Sequence, residues 1–288
     1  MDKIKLSILI PLFNYKAGTE KIINCLKNID DKEGKFIEVI ISDDSLSPLI
    51  NENTLKFLMK KFIKFKYFFN KNKYGGVHNW NRLIKLSSGD YFWLIHHDEY
   101  WDKDTFIIRK IIEKINNQEN FIFILPIKKI YNFQNRIFNF NVLQTHSPKK
   151  KFIQKFILNP IYLIDINIIG PPSAFIISKK FKYLYNPKLK VLVDVYYYKK
   201  LFELIDYSYI EILKNNYFYI YSLQNNKYSI TNSLKGNFNK LTINEKEIMG
   251  NIKKPSYYII KKLYYLIKFK FYCLISTRIN FLLSKSNG

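Results

Sequence analysis

One stretch concentrates groups that could do chemistry: Trp93-Leu94-Ile95-His96-His97-Asp98-Glu99-Tyr100-Trp101. An apolar run, Tyr91 to Ile95, stops abruptly at two histidines and two acids. Carboxylates at the carboxyl end of a buried strand are costly unless they hold something. In an open α/β sheet that edge is where ligands sit. Hard oxygen ligands there suit Mg²⁺ or Mn²⁺, and such an ion commonly bridges to a substrate phosphate. The competing reading is a solvated acidic turn.

Further polar clusters follow other apolar runs. Pro11-Leu12-Phe13-Asn14 ends the first, and Ser42-Asp43-Asp44-Ser45 ends the second. A third junction carries Lys73-Tyr74-Gly75-Gly76-Val77-His78-Asn79-Trp80-Asn81. Consecutive strand ends of one sheet, each closing in polar residues, make a single cleft. Asp43 and Asp44 also suit an Asx-turn or helix N-cap. Gly75-Gly76 also suits a plain loop-to-helix turn.

The elements that must position these clusters alternate along the first half. Lys5 to Pro11, Phe36 to Ile41, Phe65 to Phe69, Tyr91 to Ile95 and Phe121 to Leu125 read as short buried strands. Thr19 to Ile29, Leu55 to Ile63, Val77 to Leu86 and Thr105 to Ile115 have helical spacing. Strands alternating with helices of this length predict parallel βαβ units with right-handed crossovers. Continuous apolar strands predict a sheet covered on both faces. From Lys128 to Lys151 the pattern is polar and aromatic, and reads as an excursion or loop over the site. Order returns with a strand at Ser173 to Ile177 and a helix from Val193 to Leu204.

The chain of 288 residues has ample material for a core, and 48% apolar with 24% charged residues describes a globular protein rather than a disordered one. The formal net charge of +24 favours polyanions: nucleic acid, an anionic membrane, or phosphorylated substrates. Abundant Lys, Asn, Ile, Tyr and Phe together also reflect a compositional bias, which accounts for part of the excess. Cys25 and Cys273 stand in no metal or redox spacing, which fits a reducing compartment. The sequence shows no signal-peptide pattern and no apolar run of ~18 residues, so a cytoplasmic protein is expected. From Asn251 onward lysines alternate with Tyr, Ile, Leu and Phe, and acids are absent. Such a segment could pack on the domain, lie on an anionic membrane or bind nucleic acid.

In these motifs the chain resembles glycosyltransferase family 2, the inverting enzymes of GT-A fold. Ile8-Leu9-Ile10-Pro11-Leu12-Phe13-Asn14 is similar to the family's opening strand and its Pro-x-aromatic-Asn end. Ile41-Ser42-Asp43-Asp44-Ser45 resembles the acidic turn that holds nucleobase and ribose, with Ser45 in the glycine place. Gly75 and Asn81 keep the spacing of the family's Gly to Ala-Arg-Asn segment, with Asn79 and Trp80 replacing Ala and Arg. His96-His97-Asp98 occupies the place of the Asp-x-Asp metal motif, a departure that exchanges a carboxylate for an imidazole. Gly170-Pro171-Pro172-Ser173-Ala174 resembles the acceptor-side segment, and Leu192-Val193-Asp194-Val195 the region of the catalytic acid. The resemblance covers residues 4 to 205.

It implies a GT-A-like α/β domain over 1–220, with a mostly parallel central sheet flanked by helices, and a helical, basic, aromatic-rich extension over 221–288. The implied activity is inverting sugar transfer from a UDP- or dTDP-sugar to a hydroxyl of a glycan or lipid-linked acceptor, in bacterial surface polysaccharide synthesis. Pro11, Phe13, Asn14, Asp43, Asp44, Gly75, Gly76, Asn81, His97 and Asp98 would bind the donor. Asp98, with His96 and Glu99, would hold Mn²⁺ or Mg²⁺. Pro172 and Ser173 would face the acceptor, and Asp194 would be the general base. Asn81 could instead hold neighbouring loops, and His96 could merely pack. The implied location is the inner face of the cytoplasmic membrane, with peripheral contact to anionic lipid and no specific nucleic acid. Two rivals are a nucleotidyltransferase and a non-catalytic nucleic-acid-binding protein. The first lacks its glycine-rich Arg/Lys loop at Asn14-Tyr15-Lys16-Ala17-Gly18. The second leaves the acidic strand ends unexplained.

Overall fold

The computed structural model describes residues 3–101, 106–117, 121–134, 139–146, 154, 163, 167, 169–213, 219–224, 241–242, 244–246 and 267. The first strands are runs of branched and aliphatic residues buried on both faces. They are β1 (Leu6–Leu12) and β2 (Ile37–Asp43), followed by the half-buried edge strand β3 (Lys64–Phe69) and by β4 (Tyr91–Leu94). Beyond the site come β5 (Glu99–Trp101), β6 (Ile122–Ile124), β7 (Ile127–Gln134), β8 (Asn139–His146), β9 (Phe175–Ser178), β10 (Ile210–Ile212) and β11 (Ile220–Gln224). The helices are α1 (Lys16–Lys27), α2 (Asp31–Gly34), α3 (Glu52–Lys61), α4 (Gly76–Leu86), α5 (Phe106–Asn117) and α6 (Val193–Leu204).

Seven strands form the larger sheet in the order β10-β6-β9-β4-β1-β2-β3. It is parallel except for β9, which runs antiparallel to both β4 and β6. The chain moves outward from β1 to β2 and β3, then returns to place β4 on the other side of β1. That reversal is a topological switch point, where the strand ends part and leave a crevice. The core is apolar on both faces of the sheet, from Ile8 and Ile10 to Trp93, Phe123 and Ile176. Glu38 is a fully buried carboxylate within β2. Its carboxylate accepts from the Ser7 hydroxyl at 2.7 Å and the Ser88 amide at 2.8 Å, and pairs with Lys64 at 2.7 Å. Burial pushes that carboxyl up, but the Lys64 ammonium and these donors outweigh it and hold it below the usual range.

The segment 128–151, read from sequence as an excursion or loop over the site, is strand rather than loop wherever its residues are described. β7 and β8 pair antiparallel from Ile127↔His146 to Gln134↔Asn139. They belong to a second sheet of order β5-β11-β7-β8. This sheet forms because β7 finds a parallel partner in β11, far along the chain. β11 runs across the boundary expected at 220, so the first residues beyond it belong to this sheet. Most of the basic extension lies outside the described residues, although Ile267 is helical. Among the described residues no helix is long and apolar enough to cross a membrane.

Candidate active site

The switch point opens into a cleft of about 410 Å³. Its near wall is the end of β1, Pro11 to Phe13, with Asp44 beyond β2 and Gly75-Gly76 at the start of α4. Its floor is the turn His96 to Glu99 after β4. Its far wall is Gly170 to Pro172 together with Val191, Val193 and Asp194 at the start of α6. Asp44, Asp98, Glu99 and Asp194 therefore share one cleft, and so do Gly75, Gly76, His96, His97 and Pro172. Asn14, Asp43, Asn81 and Ser173 do not line it.

Those four have other partners. Asn14 sits at φ 50°, in the left-handed region that asparagine tolerates. Its amide donates to the Ser45 hydroxyl at 2.8 Å and its side-chain oxygen accepts from the Leu46 amide at 2.9 Å, tying the ends of β1 and β2 together. Asp43 accepts from the amides of Ser45 and Leu49 and from the Tyr67 hydroxyl at 2.8 Å, so both oxygens are committed to protein. Asn81 exchanges hydrogen bonds of 2.8 Å with the backbone of Tyr185 in both directions. Of the two roles its motif leaves open, donor contact and the holding of neighbouring loops, these contacts match the second. Ser173 is fully buried, and its carbonyl accepts from the Trp93 indole at 2.8 Å.

Asp44 builds the wall beneath the glycines. One oxygen accepts from Asn70 at 2.7 Å and the other from the amides of Tyr74 and Gly75. Gly75 has φ 77° and ψ 157°, a conformation open essentially to glycine alone. A β-carbon there would touch nothing, so the glycine serves the turn rather than crowding.

The turn after β4 carries the densest chemistry. Donor atoms of His96, Asp98 and Glu99 all lie within 4.8 Å of one another. Burial pushes both carboxyls up, and the Asp98 charge raises Glu99 further. Burial, aided by His97, pushes His96 down to about 3, so its ring is neutral, the form that ligates metals. Its buried Nε2 has no hydrogen-bond partner. An orphaned imidazole nitrogen beside two destabilised carboxylates fits a divalent cation, and a mixed nitrogen–oxygen set suits Mn²⁺ better than Mg²⁺. An aromatic column fixes the ring: His96 stacks on Trp80 at 4.4 Å, and Trp80 meets Tyr185 edge-on at 5.3 Å. Asn81 anchors this column through the Tyr185 backbone. Glu99 also accepts from the His96 amide at 2.9 Å, which closes the turn.

Asp194 enters from α6. Its oxygens accept from the Asn167 side chain at 3.0 Å and from the Val195 amide at 2.8 Å. Asn167 is itself locked, accepting from the amides of Ile169 and Gly170 and donating to the Gly170 carbonyl. Burial pushes Asp194 up to about 6, against the pull of the Val195 amide, Lys129 and Asn167. The register of the second sheet places Glu99 opposite Ser222 and Ser222 opposite Lys129, and all three line the cleft.

Sequence reasoning missed Lys129, Asn167, Lys190 and Ser222, which also line the cleft, as does Lys73 of the third polar junction. Asn79 and Trp80, part of the same junction and departures from the family motif there, line it too. The pairing of β7 with β11 has no local signal, so Lys129 and Ser222 could not be placed.

An acidic cleft at the switch point of a mixed sheet, with a smaller sheet closing one side, defines a GT-A-like α/β enzyme. The chain belongs to glycosyl transferase family 2, whose family model matches residues 7–181. It is similar to a GalNAc(5)-diNAcBac-PP-undecaprenol beta-1,3-glucosyltransferase of Campylobacter jejuni, 33% identical over 96 residues, which are 33% of this chain and 30% of that protein. It is also similar to the amylovoran biosynthesis glycosyltransferase AmsB of Erwinia amylovora, 28% identical over 132 residues, 43% of this chain and 41% of that protein. The chain thus matches well under half the length of these curated relatives. Among solved structures, S. aureus TarS 1–349 in complex with UDP-GlcNAc superposes with a TM-score of 0.54 at 17% identity, covering 79% of this chain and 60% of that one. At that identity the likeness speaks to the fold alone.

Proposed function

We propose that the chain transfers a sugar, with inversion, from a UDP- or dTDP-sugar to a hydroxyl of a lipid-linked or glycan acceptor. The observation that carries this reading is that Asp194 and the His96–Asp98–Glu99 cluster open onto one cleft. The solved complex of TarS with UDP-GlcNAc and the C. jejuni enzyme, named for a polyprenyl-diphosphate acceptor, support the two substrate classes. The nucleoside lies along Pro11, Phe13 and Asp44, and the diphosphate reaches the turn at Asp98.

The reaction is a direct displacement. The acceptor oxygen forms a bond to the anomeric carbon while the bond from that carbon to the diphosphate oxygen breaks. The electron pair leaves with the nucleoside diphosphate. The acceptor proton passes to an Asp194 oxygen, whose other contacts to Asn167 and Val195 keep it aimed. A base poised near neutrality is suited to this, and positioned proton transfer contributes ~10²–10⁴-fold. Attack from the face opposite the leaving group inverts the anomeric centre and needs no enzyme nucleophile. Asp98, Glu99 and His96 would hold Mn²⁺ or Mg²⁺. The chemistry such an ion supplies when bound is neutralisation of charge on the departing diphosphate.

A lipid-linked acceptor would bring the enzyme to the inner face of the cytoplasmic membrane. Asp194→Asn should abolish transfer while donor binding survives. Thermal-shift titration with nucleotide-sugars, with and without Mn²⁺, reads the binding, since a donor at 100 times its Kd stabilises by ~2.7 kcal/mol. Wild-type turnover in that variant would refute the base, and no shift with any donor would refute the substrate class.

A further inference from the structure

We infer that Glu245 is a positioning residue for the reaction: reaching in from the basic C-terminal segment, it clamps the loop that delivers Asp194 to the cleft. This rests on the reading of Asp194 as the base.

The 221–288 segment holds twelve Lys and Arg but only two acids, Glu245 and Glu247. Glu245, within helical residues 244–246, is only 3% exposed. A buried carboxylate must be matched by donors, and here three consecutive backbone amides match it. One oxygen accepts from Lys190 at 2.6 Å and Val191 at 3.1 Å. The other accepts from Val191 at 3.0 Å and Leu192 at 2.8 Å. Successive amides turned to one side form an anion-binding concavity.

The loop cannot supply this anion itself. Lys190, Val191 and Leu192 have no side-chain acceptor, and α6 starts without a side-chain cap from Leu192. Of the clamped amides, that of the cap residue Leu192 is a helix-start donor that needs a partner, and those of Lys190 and Val191 precede it. Lys190, Val191, Val193 and Asp194 all line the cleft, so the loop that Glu245 grips is cleft wall on one side and clamp on the other. Asp194 lies two residues past the last clamped amide. A shift of about 1 Å in a reacting group can cost on the order of 10²-fold in rate.

The test uses the full chain carrying Glu245→Gln, which keeps the size and removes the charge, and Glu245→Ala. Backbone amide exchange at 190–192 should quicken in both. At saturating donor and acceptor, kcat should fall on the order of 10²-fold, while the Kd for the UDP-sugar with Mn²⁺ stays at the wild-type value. Loss of the Glu245 charge leaves the start of α6 more positive, so the acid limb of the kcat profile should move to lower pH. The charged and titratable groups that act on Asp194 across the cleft, namely Lys129, Glu99, Tyr185 and Tyr198, are unchanged by the substitution. Formate should restore part of kcat in Glu245→Ala by filling the vacated concavity. Glu245→Gln keeps the test valid should the alanine variant fail to fold. Unchanged amide exchange, or wild-type kcat with an unshifted acid limb, would overturn the inference. So would a loss of donor affinity as large as the loss of kcat. Amide exchange is read without catalysis, so failure of the clamp is distinguished from failure of Asp194 as the base, which Asp194→Asn reports.

Discussion

Gly18 of α1 and the carbonyl of His97 lie so close that a β-carbon on Gly18 would stand 2.0 Å from the His97 oxygen. No real contact is that short, and the obstacle is backbone, which cannot swing aside. The glycine therefore allows α1 to back directly onto the turn bearing Asp98 and Glu99. Gly18→Ala should displace that turn, with an overpacking cost of about 1–3 kcal/mol in denaturant unfolding. It should also weaken Mn²⁺-dependent donor binding more than metal-free nucleotide binding. Wild-type Mn²⁺ dependence in the alanine variant would show that the turn absorbs the displacement.

Asp194 links activity and stability to pH in opposite directions. Its pKa is raised from 3.8 to about 6, chiefly by burial. As the proposed base it must be ionised, so kcat/KM should fall as pH drops below about 6. Stability runs the other way. The folded state binds this proton more tightly than the unfolded chain, so the contribution is fully present below pH 3.8 and is lost as pH rises through about 6. A shift of that size corresponds to about 3 kcal/mol. Asp194→Asn should therefore unfold at higher denaturant than wild type above pH 7, with the gap closing near pH 4. A gap independent of pH would contradict the buried, proton-binding carboxyl.

Asp43 and Asp44 are neighbours in sequence with different partners. Asp43→Asn should cost about 1–3 kcal/mol, because it leaves buried donors among Ser45, Leu49 and Tyr67 without a carboxylate acceptor. Donor-induced stabilisation should persist in that variant. Asp44→Asn should reduce it, because the Gly75 amide and the cleft wall depend on that oxygen. Equal loss of donor response in the two variants would erase the distinction.

The sequence made the strand ends legible because both signals there are local. An apolar run shows in consecutive residues, and so does its abrupt arrest in His96, His97 and Asp98. It could not say which of Asp43 and Asp44 faces the cleft, since that depends on Tyr67 arriving from the neighbouring strand. Asn81 kept its motif spacing, yet its partner Tyr185 lies 104 residues away. The far wall was harder still. Lys129 and Ser222 reach the cleft only through the pairing of β7 with β11, and Asn167 stands in a stretch with no periodicity. Asp194 was found through its motif, whereas Glu245 has neither motif nor neighbour to mark it.

The row Glu99, Ser222, Lys129 has a bearing on how the chain acquires its shape. The β1–β2 pairing joins strands only a few dozen residues apart. The floor row needs a strand from near position 220 to settle between two that emerged long before. Contacts of such wide sequence separation form slowly, because loop closure precedes their reward. A nascent chain thus carries β1, β2 and β3 already paired while the crevice is still missing its last plank.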